Sequence, residues 1–272
     1  MIADWLPLIL LLLVSGACAG FLAGLLGVGG GIVTVPVLYL IFPLSGVSAS
    51  SAMLIATGTS LLVIVPTSIS SIIMHHRQGN IDPAIVKLWW PFVLLGVSLG
   101  VVLSNYLGGD LVSLVFALLA LWAAFNLSFS PATPKPSSDL PTKSWQALAA
   151  AVIGAFSAAM GIGGGTLSVP LLRMWNIPTH RAIGSAAAVG LLIALPGALM
   201  MLLYSPTPLD APPATIGFVC LPAFLVIAPM SILCAPLGVK LGSYLNGVTL
   251  QRFFAGFLCV VALRMLYQSL IF

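Results

Sequence analysis

No glutamate occurs in this 272-residue chain, and its charged residues are limited to five aspartates and nine lysines or arginines, 5% of the whole. Soluble domains carry about 25%. With 60% hydrophobic residues and a mean hydropathy of +1.20, this scarcity excludes a water-soluble fold and points to an all-α polytopic membrane protein lying in the lipid bilayer. The aspartates (Asp4, Asp82, Asp110, Asp139, Asp210) fall in or beside breaks between apolar runs. No carboxylate is therefore expected at mid-span, which excludes an Asp/Glu proton relay and a cation site built on carboxylates. Basic residues are scattered singly, without a basic run, so nucleic acid is excluded as a partner despite the net charge of +4. The four cysteines (Cys18, Cys220, Cys234, Cys259) lack CxxC or metal-ligand spacing and read as small buried apolar residues. No metal or other cofactor is expected. A GxxxxGK[ST] loop is missing as well, so nothing suggests ATP hydrolysis and no enzyme is expected. The first apolar segment has no basic flank, which favours a spanning helix over a signal peptide.

What the chain does contain, it says twice. Residues 27–38 read GVGGGIVTVPVL and residues 161–172 read GIGGGTLSVPLL, with seven of twelve positions identical and Thr34 returning as Ser168. Later stretches match too, Leu99-Gly100-Val101 with Leu237-Gly238-Val239 and Phe116-Ala117 with Phe254-Ala255. The duplication divides the chain into a first repeat (1–129), a Pro/Ser-rich linker (130–144) and a second repeat (145–272).

Apolar runs able to cross a core of roughly 30 Å need about 20 residues. Candidates are 5–26, 48–73, 86–107 and 111–129, then 145–162, 182–204, 214–239 and 249–271. Two shorter runs, 34–42 and 168–176, follow the glycines and reach only halfway, as half-helices. If each repeat counts five segments, eight of the nine Lys/Arg fall in loops on one side (74–87, 130–144, 173–181, 240–252) and none in 43–47, 107–110 or 204–213. The positive-inside rule then makes the first set cytoplasmic, both termini periplasmic and the repeats inverted. Trp89, Trp90, Trp145 and Trp175 cluster at the basic boundary, as interfacial aromatics do.

Four glycines at membrane depth break a helix, and a pair of such breaks in matching halves is a pointer to a transporter site. Thr34 and Ser168 suit helix N-caps and Pro36 and Pro170 the first turn. The expected product is two half-helix N-termini meeting near the bilayer midplane, an anion site made of Gly27, Gly29, Gly30, Gly31 and Thr34 with Gly161, Gly163, Gly164, Gly165 and Ser168. Hydroxyls at Thr57, Thr59, Ser60 and Ser185, early in the next helix of each half, are placed to donate to an oxyanion. Glycines also serve close helix packing, and Ser/Thr also bond their own helix, so both uses stay open here. His75 and Arg264 are candidates for coupling or gating, His75 otherwise being a solvated cytoplasmic cap and Arg264 a residue snorkelling to the outer interface. Gly16, outside the motif, is expected to tolerate a side chain.

The two Gly-rich motifs with Val-Pro, the Ala56-Thr57-Gly58-Thr59-Ser60 helix start and Gln78-Gly79-Asn80-Ile81-Asp82 resemble the sulfite exporter TauE/SafE family of bacterial permeases. Ala186 departs from the first half's Thr59-Ser60 pair. The resemblance implies a secondary transporter, mostly an exporter, of a small sulfur oxyanion or organosulfonate such as sulfite, in the bacterial inner membrane. The partners it implies are the small anion and a coupling ion, proton or sodium; oligomeric state is left open. Competing readings are an anion channel of the same architecture and a membrane sulfur-relay protein using Cys18.

Overall fold

The computed structural model describes residues 2–129 and 140–245, together with 249, 252–253, 255–256, 259–260, 262–263 and 266. Arg264, most of the linker and the chain's end lie outside the described residues. Among the described residues the α-helices with defined bounds are α1 (Ile2–Leu26), α2 (Gly31–Ile41), α3 (Ala49–Arg77), α4 (Pro83–Phe129), α5 (Lys143–Met160), α6 (Gly165–Met174), α7 (Thr179–Leu203) and α8 (Leu221–Tyr244). The protein is an all-α multi-pass membrane protein, and five of these helices are long and apolar enough to cross a membrane. Their outward faces are apolar, as lipid requires: Leu10 and Val14 on α1, Leu95 and Leu99 on α4 and Leu225 and Leu233 on α8 are exposed.

Two boundaries differ from the sequence reading. The loop at 107–110 is tighter than expected: α4 is two helices, 83–107 and 109–129, joined at one non-helical residue, Gly108, at φ 75° and ψ 167°, a region only glycine occupies without strain. The expected span from 214 begins later: Thr215–Ile216 (β1) and Val219–Cys220 (β2) form an antiparallel hairpin, and α8 starts at Leu221 with Pro222 in its first turn. Hydropathy cannot separate a buried hairpin from a helix, because both are apolar.

Lipid is as apolar as leucine, so helices in it associate by close packing, and small residues set the pairings. On α1, a Cβ at Gly16, Gly20 or Gly24 would strike the backbone of Ile227, Ser231 or Ala235 on α8. The steps advance together, so α1 and α8 run parallel. The expectation that Gly16 tolerates a side chain is therefore corrected: its Cβ would stand 2.5 Å from the Ile227 carbonyl oxygen. In the same way Gly96 and Gly100 of α4 meet Ala151 and Ala155, making α4 and α5 parallel. In the centre α3 and α7 are antiparallel, since Leu61 lies at Gly197 while Ser68 lies at Gly190. Each half thus gives its first helix to the other half, and the two long central helices cross-pack between them.

Two apolar clusters fill the interior, one around Leu26, Ile32, Leu38 and Met53, the other around Trp89, Val93, Leu172 and Ile193. Trp89 is wholly buried and packs edge-to-face on Trp175 at 5.9 Å, so of the four expected interfacial tryptophans only Trp90 and Trp145 are exposed.

Candidate functional site

Three glycines in each motif hold left-handed backbone: Gly27, Gly29 and Gly30 at φ 68°, 76° and 84°, and Gly161, Gly163 and Gly164 at 71°, 64° and 76°. Any side chain there is strained. The same three positions turn in both copies, so α1 and α5 stop and α2 and α6 start in the same way. The helices begin one turn earlier than expected. Gly30 and Gly164 are the N-caps, and their carbonyls accept from Thr34 and Ser168 N–H at 3.1 and 2.8 Å. Thr34 and Ser168 are therefore not caps but fourth helical residues, and Pro36 and Pro170 lie in the second turn. A left-handed glycine closes the turn by itself, which a capping hydroxyl would otherwise have done.

The two breaks face each other. A Cβ on Gly31 would fall on the carbonyl oxygen of Gly161, and one on Gly165 on the carbonyl oxygen of Gly27. The contacts are reciprocal, each half-helix start lodged against the other motif's first turn. Helix geometry directs the N–H groups of Gly31, Ile32 and Thr166 out of these ends, giving each a positive pole. Residues 161–170 are all buried, as are Gly27 to Ile32. One side chain stands between the motifs. Ile64, at the middle of α3, places Cγ2 2.8 Å from where a Gly29 Cβ would be, and Cδ1 2.9 and 3.0 Å from those of Gly31 and Gly163.

The hydroxyls divide into different duties. Ser60 Oγ donates to the Gly161 carbonyl at 2.8 Å, fixing the break from α3, and Thr34 Oγ1 turns back to Gly30 at 3.2 Å. Thr57 Oγ1 and Ser168 Oγ are buried and unpartnered. Thr59 and Ser185 do something the sequence did not suggest: Thr59 Oγ1 accepts the N–H of Cys220, and Ser185 Oγ accepts the N–H of Asp82, both at 2.9 Å. Beside them, a Cβ on Gly58 would fall on the Phe218 carbonyl and one on Gly184 on the Asn80 carbonyl. The 215–220 hairpin is thus pinned on the start of α3, and the 78–82 loop on the start of α7, by the same Gly-hydroxyl pair. Among the described residues the 78–82 loop adds an ion pair, Arg181 to Asp82 at 2.8 Å. The Gly-Thr and Gly-Ser dipeptides were visible in the sequence. What they hold lies 160 or 103 residues away in the chain and was not.

His75 is buried rather than solvated, and its Nε2 donates to the Gly24 carbonyl on α1 at 3.2 Å. Cys18 is exposed on the outer face of α1, while the motif is buried; Cys220 is buried at the hairpin's end and all four cysteines are free. The reading of all four as buried holds only at Cys220: Cys18 is exposed, and Cys234 and Cys259 are half-buried. At the other end of α3, Asp210 Oδ2 accepts the N–H of Ser48, the N-cap, at 2.7 Å. Hydrogen bonds from the Ser48 backbone, then from the Ser48 and Ser51 hydroxyls, hold its carboxyl below the ordinary value. Surface cavities lie elsewhere: one of about 490 Å³ is lined by Leu12, Phe42, Asp210 and Cys220, another of the same size by Asp82, Lys87, Lys143 and Gln146.

The profile of the family described as sulfite exporter TauE/SafE matches residues 12–265. A probable membrane transporter protein of Haemophilus influenzae is 36% identical over 94% of this chain and 97% of its own. One of Methanocaldococcus jannaschii is 28% identical over 97% of each, and one of Bacillus subtilis 26% identical over 70% of this chain and 76% of its own. No solved structure matches the chain.

Proposed function

Because this chain belongs to the sulfite exporter TauE/SafE family and is a membrane transporter, we propose that it exports a small sulfur oxyanion or organosulfonate such as sulfite by alternating access. The observation that carries this is the reciprocal lodging of two glycine-broken helix starts, buried together with hydroxyls and, among the described residues, with no basic side chain against the glycines. An anion is attracted there by dipole ends and N–H donors, each terminus contributing roughly 0.3 to 2 kcal/mol, enough to select the anion and weak enough to release it. We place the two repeats, 1–129 and 145–272, inverted about this junction in a bacterial inner membrane, with the 130–144 linker cytoplasmic and both termini periplasmic. Parallel α1 with α8, parallel α4 with α5 and antiparallel α3 with α7 support that arrangement.

The plugs supply the doors. The 78–82 loop closes the cytoplasmic approach and the 215–220 hairpin the periplasmic one, and alternating access is their release in turn. Of the two coupling candidates, His75 lies against α1 where a proton or sodium coupling acts on the first break; Arg264 is outside the described residues. The test is transport into proteoliposomes of sulfite, sulfate, thiosulfate, taurine and sulfoacetate as radiotracers. Saturable uptake of one of them, lost in Gly31→Asp, is the expected result; conductance that does not saturate makes the protein a channel, and no flux of any of them overturns the reading.

A further inference from the structure

The duplicated central helices are chemical opposites along the face they turn to the glycine breaks. At 3.6 residues per turn, Thr57, Ser60, Ile64, Ser68, Ser71 and His75 of α3 fall within an arc of about 80° and extend over roughly 27 Å. Every one is at most 4% exposed. Their counterparts in α7 are Ile183, Ala186, Gly190, Ala194, Gly197 and Met201, all apolar. Thr57 Oγ1, Ser68 Oγ, Ser71 Oγ and His75 Nδ1 are buried without a partner, and no residue of α7 has such an atom among the described residues. Buried polar groups are satisfied as a rule, so four on one stripe of one helix imply an intermittent partner. Helix packing alone gives no reason for them, since α7 packs at the same junction without any.

The stripe also locates that partner. Thr57 stands at Gly161, whose Cβ would lie 2.8 Å from the Thr57 Cα, and Ser68 Oγ lies 3.6 Å from the Cβ positions of both Gly29 and Gly190. Ile64 is the stripe's one apolar member and fills the point between Gly29, Gly31 and Gly163 where an anion touching both helix starts would sit. Its counterpart is Gly190, so the second half provides no such plug.

We propose that this stripe is the wall of the anion path and that Ile64 partitions it into two half-sites, Thr57 and Ser60 facing one side of the membrane and Ser68, Ser71 and His75 the other. The proposal rests on the transport reading above and adds that the anion never bridges both helix starts while Ile64 is in place. The hydroxyls strip and replace water step by step, and the isoleucine prevents a continuous wet path.

The test replaces all four cysteines by alanine and introduces Thr57→Cys, Ser68→Cys or Ser71→Cys, each probed with a membrane-impermeant, negatively charged methanethiosulfonate from either face. Thr57→Cys is expected to label from one face only and Ser68→Cys and Ser71→Cys from the other only. Adding Ile64→Ala should raise labelling from the formerly closed face at least tenfold, and Ile64→Val, which keeps the fold with a smaller change, should raise it less. Labelling from neither face, or sidedness unchanged in both Ile64 variants, overturns the proposal. Sulfate and sulfoacetate, which unlike sulfite and thiosulfate do not attack the methanethiosulfonate itself, should slow labelling at least fivefold. Sided labelling indifferent to every anion tried would leave the partitioned path standing and sink the anion-transport reading.

Discussion

A methyl group is the smallest probe of the glycine junction. At Gly31 and Gly165 it meets backbone, which cannot move aside as a side-chain end can, so Gly31→Ala and Gly165→Ala are expected to abolish transport and to cost about 1 to 3 kcal/mol of overpacking. Gly256→Ala, with nothing within 4 Å, should transport normally. Tracer flux together with monodispersity after extraction checks this; normal transport by both junction variants would remove the glycines from the site. Asp210 offers a second, milder probe. Its carboxyl is held below the usual 3.8, so its contribution to stability is complete above that value and disappears as pH falls through the lowered one. Because the group is exposed and screened, Asp210→Ala should cost no more than about 0.3 to 1 kcal/mol, the range for a charge at a helix N-terminus. Thermal melts should separate variant from wild type at pH 7 and converge well below pH 3.8; a gap that persists in acid assigns Asp210 a role other than its charge. The glycines were legible because duplication marks them, and Ser60 was legible as a hydroxyl near them. Ile64 was not, since an isoleucine in an apolar helix carries no signal until the breaks are seen to close on it.

Among elements, the instructive ones are the two plugs. Hydropathy found α1, α3, α5 and α7 to within a few residues because lipid-facing length is a property of local sequence. It placed 214–220 in a helix because a hairpin buried against Gly58 is as apolar as the helix that follows. The Gln78-Gly79-Asn80-Ile81-Asp82 stretch was visible as a motif of the resemblance and as part of a basic loop, but its seat on Gly184 is a contact between halves. The two plugs are held differently: beyond the Thr59 and Ser185 bonds, the hairpin adds Gly217 N–H to Thr207 Oγ1 at 2.8 Å and Phe218 N–H to the Met201 carbonyl at 3.0 Å, and the 78–82 loop adds the Arg181–Asp82 pair. That pair is partly exposed, Arg181 by half, and is worth about 0.2 to 1 kcal/mol, whereas the part-buried bond at Ser185 contributes about 0.5 to 1.5 kcal/mol. Ser185→Ala is therefore expected to open the cytoplasmic side more than Arg181→Gln, the first by up to about tenfold in the labelling rate of an Asn80→Cys reporter and the second by a few-fold. Thr59→Val should leave that reporter unchanged and act on the hairpin instead. Equal effects of Ser185→Ala and Thr59→Val on Asn80→Cys would mean that the plugs do not move separately.

For the whole molecule, the directions of the helices constrain how the chain threads the bilayer. α4 runs back along α3, bringing Gly109 to Ser50, whereas α8 runs parallel to α3, with Cys220, Ser231 and Ile232 meeting Thr59, Thr67 and Ser70, so α4 and α8 oppose each other. The parallel partners α5 and α1 then oppose each other as well. The proposed five segments per half fit those directions, with α2 and α6 serving as returns that do not span by themselves and 109–129, the part of α4 after Gly108, as the fifth segment of the first half. Charge says the same independently, because eight of nine basic residues then share one face. Reporters fused within 130–143 are accordingly expected to read cytoplasm, and reporters in 205–213 or after Phe272 to read periplasm, with the Arg181–Asp82 plug on the cytoplasmic face and Asp210 on the other. A reporter after Phe272 that reads cytoplasm would break the inversion, because the second half would then cross an even number of times and α1 and α5 could not run in opposite directions.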